Sequence, residues 1–353
     1  MSGLERGGPE PPHTRPPCPR SDTWAGRLTG AVLRAPTTLI FVVSLAIALL
    51  LLWRQGTLAD LGVAAADANR STIAGAIALY VAGAALLCLR WHLLVRMVAG
   101  RSDAPRAAQA FLTSVMLNYA APIGLAIPAR AALTKRGLGL SGAETGAIAF
   151  WEVATDVLVL GLAGAIWLAF GNTAVLDRLP GNGLQAGVVI ALGCGMAIAV
   201  ALLVAWRRPA LWRRGAGAGA ATLRFPARRP VDAALALGVT LLFWSLQGII
   251  LGTLLHAVGV PGTDPGLLVG LLALPVLVGM LSPVPGGAGV REALMVAVAQ
   301  ARHLNGAAVL LAAVAYRVAL FVAIPILFAV VRGWLVFRER SHATKRHEGR
   351  SVG

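Results

Sequence analysis

Six stretches of this sequence are apolar over the length needed to cross a lipid bilayer, and nothing else about the chain constrains its fold as strongly. A spanning helix takes about 20 apolar residues. Residues 37–53, 72–95, 146–170, 184–206, 233–256 and 307–331 each supply a run of that kind. With no water in the hydrocarbon, each segment must satisfy its own backbone N–H and C=O groups, so such runs are helices. Two further stretches are apolar but interrupted. One is 107–128, "AAQAFLTSVMLNYAAPIGLAIP"; the other is 266–301, which contains "LSPVPGGAGVREALM" at 281–295. The expected fold is an all-α polytopic membrane protein of about eight spanning or partly spanning segments, with broken or re-entrant stretches near 107–128 and 282–301.

Charge supports this class and suggests sidedness. Charged residues make up 13% of the 353-residue chain, against about 25% in soluble domains. The net charge is +16, and the basic residues are clustered. Five arginines lie in 1–35, seven in 207–229, and six Lys/Arg in 332–350. Loops rich in Lys and Arg stay cytoplasmic, so both termini, the 90–106 link and the 207–232 link are expected on that side of the cell membrane. Residues 1–35, rich in Pro, Gly and Arg and without an apolar core, are expected to form a disordered cytoplasmic tail. The transmembrane domain is expected over 36–335 and a basic cytoplasmic tail over 336–353. No soluble domain presents these charges, which argues against nucleic acid as a partner. Cys18, Cys88 and Cys194 are scattered and give no disulfide or metal pattern. His92, His256 and His303 do not cluster in sequence, there is no P-loop, and no cofactor is called for.

With these sides, residues 107–140 must enter and leave on the cytoplasmic face, as a re-entrant hairpin. The 266–301 region must run inward and return. Residues 266–281 give a helix of about 24 Å at 1.5 Å per residue, short of the ~30 Å hydrocarbon core. Both broken segments are therefore expected to stop within the bilayer. Irregular backbone at that depth needs cover from protein or a polar cavity. Paired Gly/Pro breaks in two halves of a chain point to a transporter's binding site. The first break carries Pro122, Gly124, Pro128 and Arg130, and the second Pro283, Pro285, Gly286, Gly287, Gly289 and Arg291.

Ionisable groups within the membrane are costly and mark function. Glu152 and Asp156 share one helix face, four residues apart. Arg317 lies ten residues into the last run, and Arg291 and Glu292 lie in the second break. Arg317 is expected beside Glu292, Glu152 or Asp156, either as a structural pair or as part of a polar cavity. The helix start after "PVPGGAG" is expected to offer its N–H groups to an anion, with an arginine fork suited to phosphate. The glycines are expected to admit substrate to the backbone or, alternatively, to permit close helix packing.

The stretch "LSPVPGGAGVREALMVAVAQARHLNGAAVLLAAVAYRVALF" resembles the signature of the lysylphosphatidylglycerol synthase transmembrane-region family, a flippase-like membrane domain also known as uncharacterised protein family 0104. Its Pro, Pro-Gly-Gly, Gly, Glu and later Tyr-Arg fall on Pro283, Pro285, Gly286, Gly287, Gly289, Glu292, Tyr316 and Arg317. "NYAAPIGLAIPARAAL" followed by "FWEVATDVLVL" resembles the family's first signature and carries Asn118, Pro128, Arg130, Glu152 and Asp156. The likeness covers roughly 36–335. This chain has Ala131-Ala132 where the family has Gly-Glu, and Glu152-Val153 where it has Glu-Arg. The resemblance implies translocation of lipid, or an accessory role in lipid-linked envelope chemistry. In multidomain relatives this part moves aminoacylated phosphatidylglycerol, which a soluble domain makes. That soluble domain is not expected here, nor is aminoacyl transfer by this chain alone.

The leading expectation is a membrane protein that binds and translocates an anionic or phosphate-linked lipid and is not an enzyme. Its expected substrate-binding residues are Asn118, Arg130, Glu152, Asp156, Pro285, Gly286, Gly287, Gly289, Arg291, Glu292, Tyr316 and Arg317. Two alternatives stay open. One is a membrane transferase using Glu152, Asp156 and Glu292 as acid–base groups; the other is a scaffold for an envelope-biosynthesis enzyme.

Overall fold

The structure, a computed structural model, describes residues 37–54, 70–120, 123–170, 222, 224–260, 264–281 and 287–351. The expected tail over 1–35 and the expected span over 184–206 lie outside the described residues. Within the described residues the elements are α1 (Thr37–Arg54), α2 (Arg70–Ala99), α3 (Ala104–Ala120), α4 (Ile123–Leu138), α5 (Gly142–Ala169), α6 (Pro230–Ala257), α7 (Pro265–Leu281), α8 (Val290–Ala301) and α9 (Gly306–Ser351).

Local chemistry sets several of the helix starts. Ser141 Oγ accepts from the Glu144 amide at 3.2 Å, and the Glu144 carboxylate accepts from the Ser141 amide at 2.8 Å. This reciprocal cap satisfies amides that the first turn of α5 leaves open. Pro230 opens α6 at a position where its missing N–H costs nothing. Asp264 Oδ1 accepts from the Leu267 amide at 2.6 Å and caps α7.

Among the described residues, four helices are long and apolar enough to cross a membrane, over Ala74–Ala99, Gly142–Leu168, Pro230–Ala257 and Gly306–Ser341. Their outer faces stay apolar. Leu158, Leu162 and Ile166 on α5, Leu235, Leu242 and Ile249 on α6, and Val330 on α9 are all exposed. A soluble protein would not present so much apolar surface; this one is a multi-pass membrane protein. Inside, α2 packs along α6, and α9 crosses α2, α3, α6 and α8. The core gathers Phe41, Tyr80, Met116, Trp167, Leu255, Leu271, Met295 and Phe321. Phe41 stacks on Phe328, ring centroids 3.8 Å apart, and clamps α1 to α9.

The two interrupted segments are helical hairpins that enter from opposite ends of the bundle. In the first, α3 and α4 pack together, and a Cβ on Gly137 would lie 3.8 Å from the Ala110 Cβ. The end of α4 thus returns to the level at which α3 began. In the second, α7 and α8 pack together, and Arg302 after α8 meets Asp264 before α7 at 3.6 Å. The ends of the first hairpin sit with a cluster of ion pairs. Asp103 receives Arg338 at 2.6 Å and Arg106 at 3.8 Å, and Asp232 receives Arg96 at 3.1 Å. The 28-residue α6 runs from Asp232, at this basic end, towards Asp264 at the other, a length of about 42 Å.

Two boundaries differ from expectation. Helix α2 continues to Ala99, so Arg90 and Arg96, expected in a cytoplasmic link, are helical, and Arg90 is buried. Helix α9 runs without interruption to Ser351, so the basic segment after 335 extends the last span as a helix.

Candidate functional site

Two clusters of buried charge lie inside the bundle. The first joins α2, α5 and α6. Arg90 Nη1 donates to Asp156 Oδ1 at 2.5 Å and Nη2 donates to Asp156 Oδ2 at 3.1 Å, a two-pronged pairing. Glu152 Oε1 lies 3.6 Å from the same guanidinium, and Trp244 Nε1 donates to Asp156 Oδ1 at 2.9 Å. Two carboxylates thus share one guanidinium about 14 Å along α2 from its basic end. Glu152 and Asp156 do point to one face, as their spacing predicts, but Arg90 meets them and not Arg317. Sequence reasoning missed Arg90. The signal was "CLRWHLLVRM", in which apolar residues continue past the arginine and carry the helix beyond it.

The second cluster joins the start of α8 to the middle of α9. Arg317 Nη2 pairs with Glu292 Oε1 at 2.7 Å. Glu292 Oε2 also accepts from the Gly289 amide at 2.7 Å. One N–H at the α8 start, that of Gly289, is thus taken by the chain's own carboxylate. The neighbouring cation, Arg291, turns to an aromatic ring instead. Its guanidinium lies over the Tyr316 ring, 4.6 Å from the centroid, a cation–π geometry. Its Nη2 is buried without a hydrogen-bond partner among the described residues. Tyr316 donates to Gln247 Oε1 at 2.6 Å and meets Tyr80 edge-on at 5.3 Å. Tyr119, near the tip of the first hairpin, meets Phe321 at 5.3 Å. Gln247, Tyr80 and Tyr119 were not legible as site residues, because an isolated Gln or Tyr in an apolar helix carries no spacing signal.

The glycines divide. Gly287 has φ +65, and a Cβ there would lie 2.8 Å from the Gly279 carbonyl oxygen and 2.9 Å from its Cα. It serves close packing of α7 against the α8 start. Gly289, with φ +81, is exposed, with nothing within 4 Å of a Cβ. Asn118 is half-buried two residues before the end of α3. Pro285 and Gly286 lie outside the described residues, as does the side chain of Arg130, whose backbone belongs to α4. The structure thus brings Arg291, Glu292, Tyr316 and Arg317 together and keeps Glu152 and Asp156 in a separate cluster.

Opposed hairpins around buried charge define a helical membrane protein with a polar interior. The chain belongs to the lysylphosphatidylglycerol synthase TM region family, whose model matches residues 41–328. No curated protein matches the chain. Membership makes this a membrane protein associated with lipid biogenesis.

Proposed function

We propose that the protein translocates an anionic or phosphate-linked lipid between the leaflets of the cell membrane, with both termini cytoplasmic, and does no covalent chemistry on it. The observation that carries this reading is Arg291, next to the Arg317–Glu292 pair and over the Tyr316 ring, with its Nη2 a buried donor that has no acceptor among the described residues. A phosphate oxygen would complete it, since an unmade buried hydrogen bond is costly and Arg suits phosphate. The Asp156 carboxylate, a candidate acid–base group, is held by Arg90 and Trp244, which favours a structural over a catalytic use. The test is reconstitution into vesicles with leaflet redistribution of labelled phosphatidylglycerol as readout. Arg291→Gln is expected to slow redistribution of the anionic lipid about tenfold or more, the effect of ~1.5–3 kcal/mol for a hydrogen bond to a charged group, with little change for phosphatidylcholine. No redistribution by the unsubstituted protein, or formation of a modified lipid, would overturn the proposal.

A further inference from the structure

A polar recess lies away from the buried clusters, at the basic end of the bundle. It is a groove of about 240 Å³ between α1, α3, α4 and α9, whose lining includes Thr37, Arg106, Gln109, Arg136, Arg332 and Glu339. Three arginines from three different helices thus line one recess together with one glutamate, and Arg106 also reaches Asp103 at 3.8 Å. The mouth of the first hairpin is what brings Arg106 and Arg136 together, because α4 returns to the level of the α3 start. Arg332 comes from the far end of the chain.

The depth of the groove is marked independently. On α9, Trp334 and Phe337 are exposed, at 57% and 63%, within the same two turns as Arg332 and Glu339. An exposed Trp such as Trp334 favours the headgroup level of a membrane. Next to Thr37 on α1, Leu39, Val42 and Val43 are exposed too, an apolar strip that begins where the polar lining stops. The groove thus lies where charged headgroups meet acyl chains. Its volume falls just below the ~300 Å³ at which pockets for small molecules begin, which suits a headgroup and not a whole lipid. Planar, weakly hydrated guanidiniums recognise phosphate in two-pronged fashion.

We propose that this groove seats the phosphate of an anionic phospholipid drawn from the leaflet at the basic end, with Arg106, Arg136 and Arg332 as its donors. The proposal deepens the translocation reading and rests on it for purpose, since it states where the lipid is first held; its test needs no transport. The whole chain is purified in mild detergent and its affinity for phosphatidylglycerol and phosphatidylcholine is measured by native mass spectrometry. Arg332→Gln and Arg136→Gln are each expected to weaken phosphatidylglycerol binding about tenfold, and the triple Arg→Gln variant to reduce it to the level of phosphatidylcholine. Arg332→Lys keeps the charge and loses the fork, so it is expected to fall between. Glu339→Gln removes the opposing carboxylate and is expected to tighten binding. Melting temperatures are recorded on every variant, and Glu339→Gln guards against misfolding because its expected effect is a gain. Unchanged phosphatidylglycerol affinity in the triple variant, or a loss on Glu339→Gln, overturns the proposal. So does displacement of the lipid by inorganic phosphate as readily as by glycerol phosphate, which would make the groove a site for the free anion. Absence of leaflet redistribution with groove binding intact overturns the translocation reading alone.

Discussion

At the scale of single residues, the pair Gly287 and Gly289 separates packing from access. Both have positive φ, so a side chain at either costs about 1–3 kcal/mol in backbone strain. Gly287→Ala also drives a Cβ into the Gly279 backbone, and overpacking adds roughly 1–3 kcal/mol. Gly287→Ala is therefore expected to destabilise by about 2–6 kcal/mol, and Gly289→Ala by only the backbone share. Thermal melts of the two variants check this; equal shifts would contradict the Gly279–Gly287 contact. Residue-scale reading of the sequence succeeded where spacing carries the information. The separation of Glu152 from Asp156 forces a shared face, and Arg317 has Glu292 as its partner, one of three acids named for it. It failed where a partner is chosen by the crossing of distant helices. Nothing local to Arg90 tells which of the buried acids it will meet.

At the scale of elements, α9 is held at the basic end through Asp103, in the turn between α2 and α3. Burial raises the Asp103 carboxyl, but hydrogen bonds from Arg338 and from the Arg106 amide outweigh that and leave it below the usual carboxylate range. A folded-state value below the unfolded one means the pairing stabilises at pH above the ordinary aspartate range and is lost as pH falls through the lowered value. The Asp103 side chain is 31% exposed, and solvent screening keeps its contribution below about 1 kcal/mol. In Asp103→Asn at neutral pH, hydrogen exchange in the α9 stretch around Arg338 is expected to quicken while exchange in α6 stays unchanged. Equal rates in the variant and the parent would remove the tether. The hairpins were legible as elements from Pro and Gly placement and from segments too short to span. The reach of α9 to Ser351 was not, because the hydropathy that marks a span falls away at the basic residues while helix propensity does not.

At the scale of the whole molecule, the ion pairs sort the bundle into a basic end and an opposite end, and the basic end is expected to face the cytoplasm. In a cysteine-free background, a cysteine at exposed Lys135 is expected to resist a membrane-impermeant maleimide added outside cells, whereas one at Arg302 is expected to react. Labelling of both from outside would mean that 104–138 crosses the membrane. The class of fold was legible because hydrocarbon allows few solutions; the site was only partly so, because depth follows from sequence but azimuth around a helix bundle does not. The opposed hairpins also have a dielectric consequence. A bare bilayer confronts an ion with ~30 Å of continuous hydrocarbon, and the Born cost of entering such a medium is severe. The second hairpin carries Glu292 to a buried position beside Arg317, so fixed charge of both signs lies inside the bundle. A charge entering there meets paired charge in place of hydrocarbon, which offsets part of that cost.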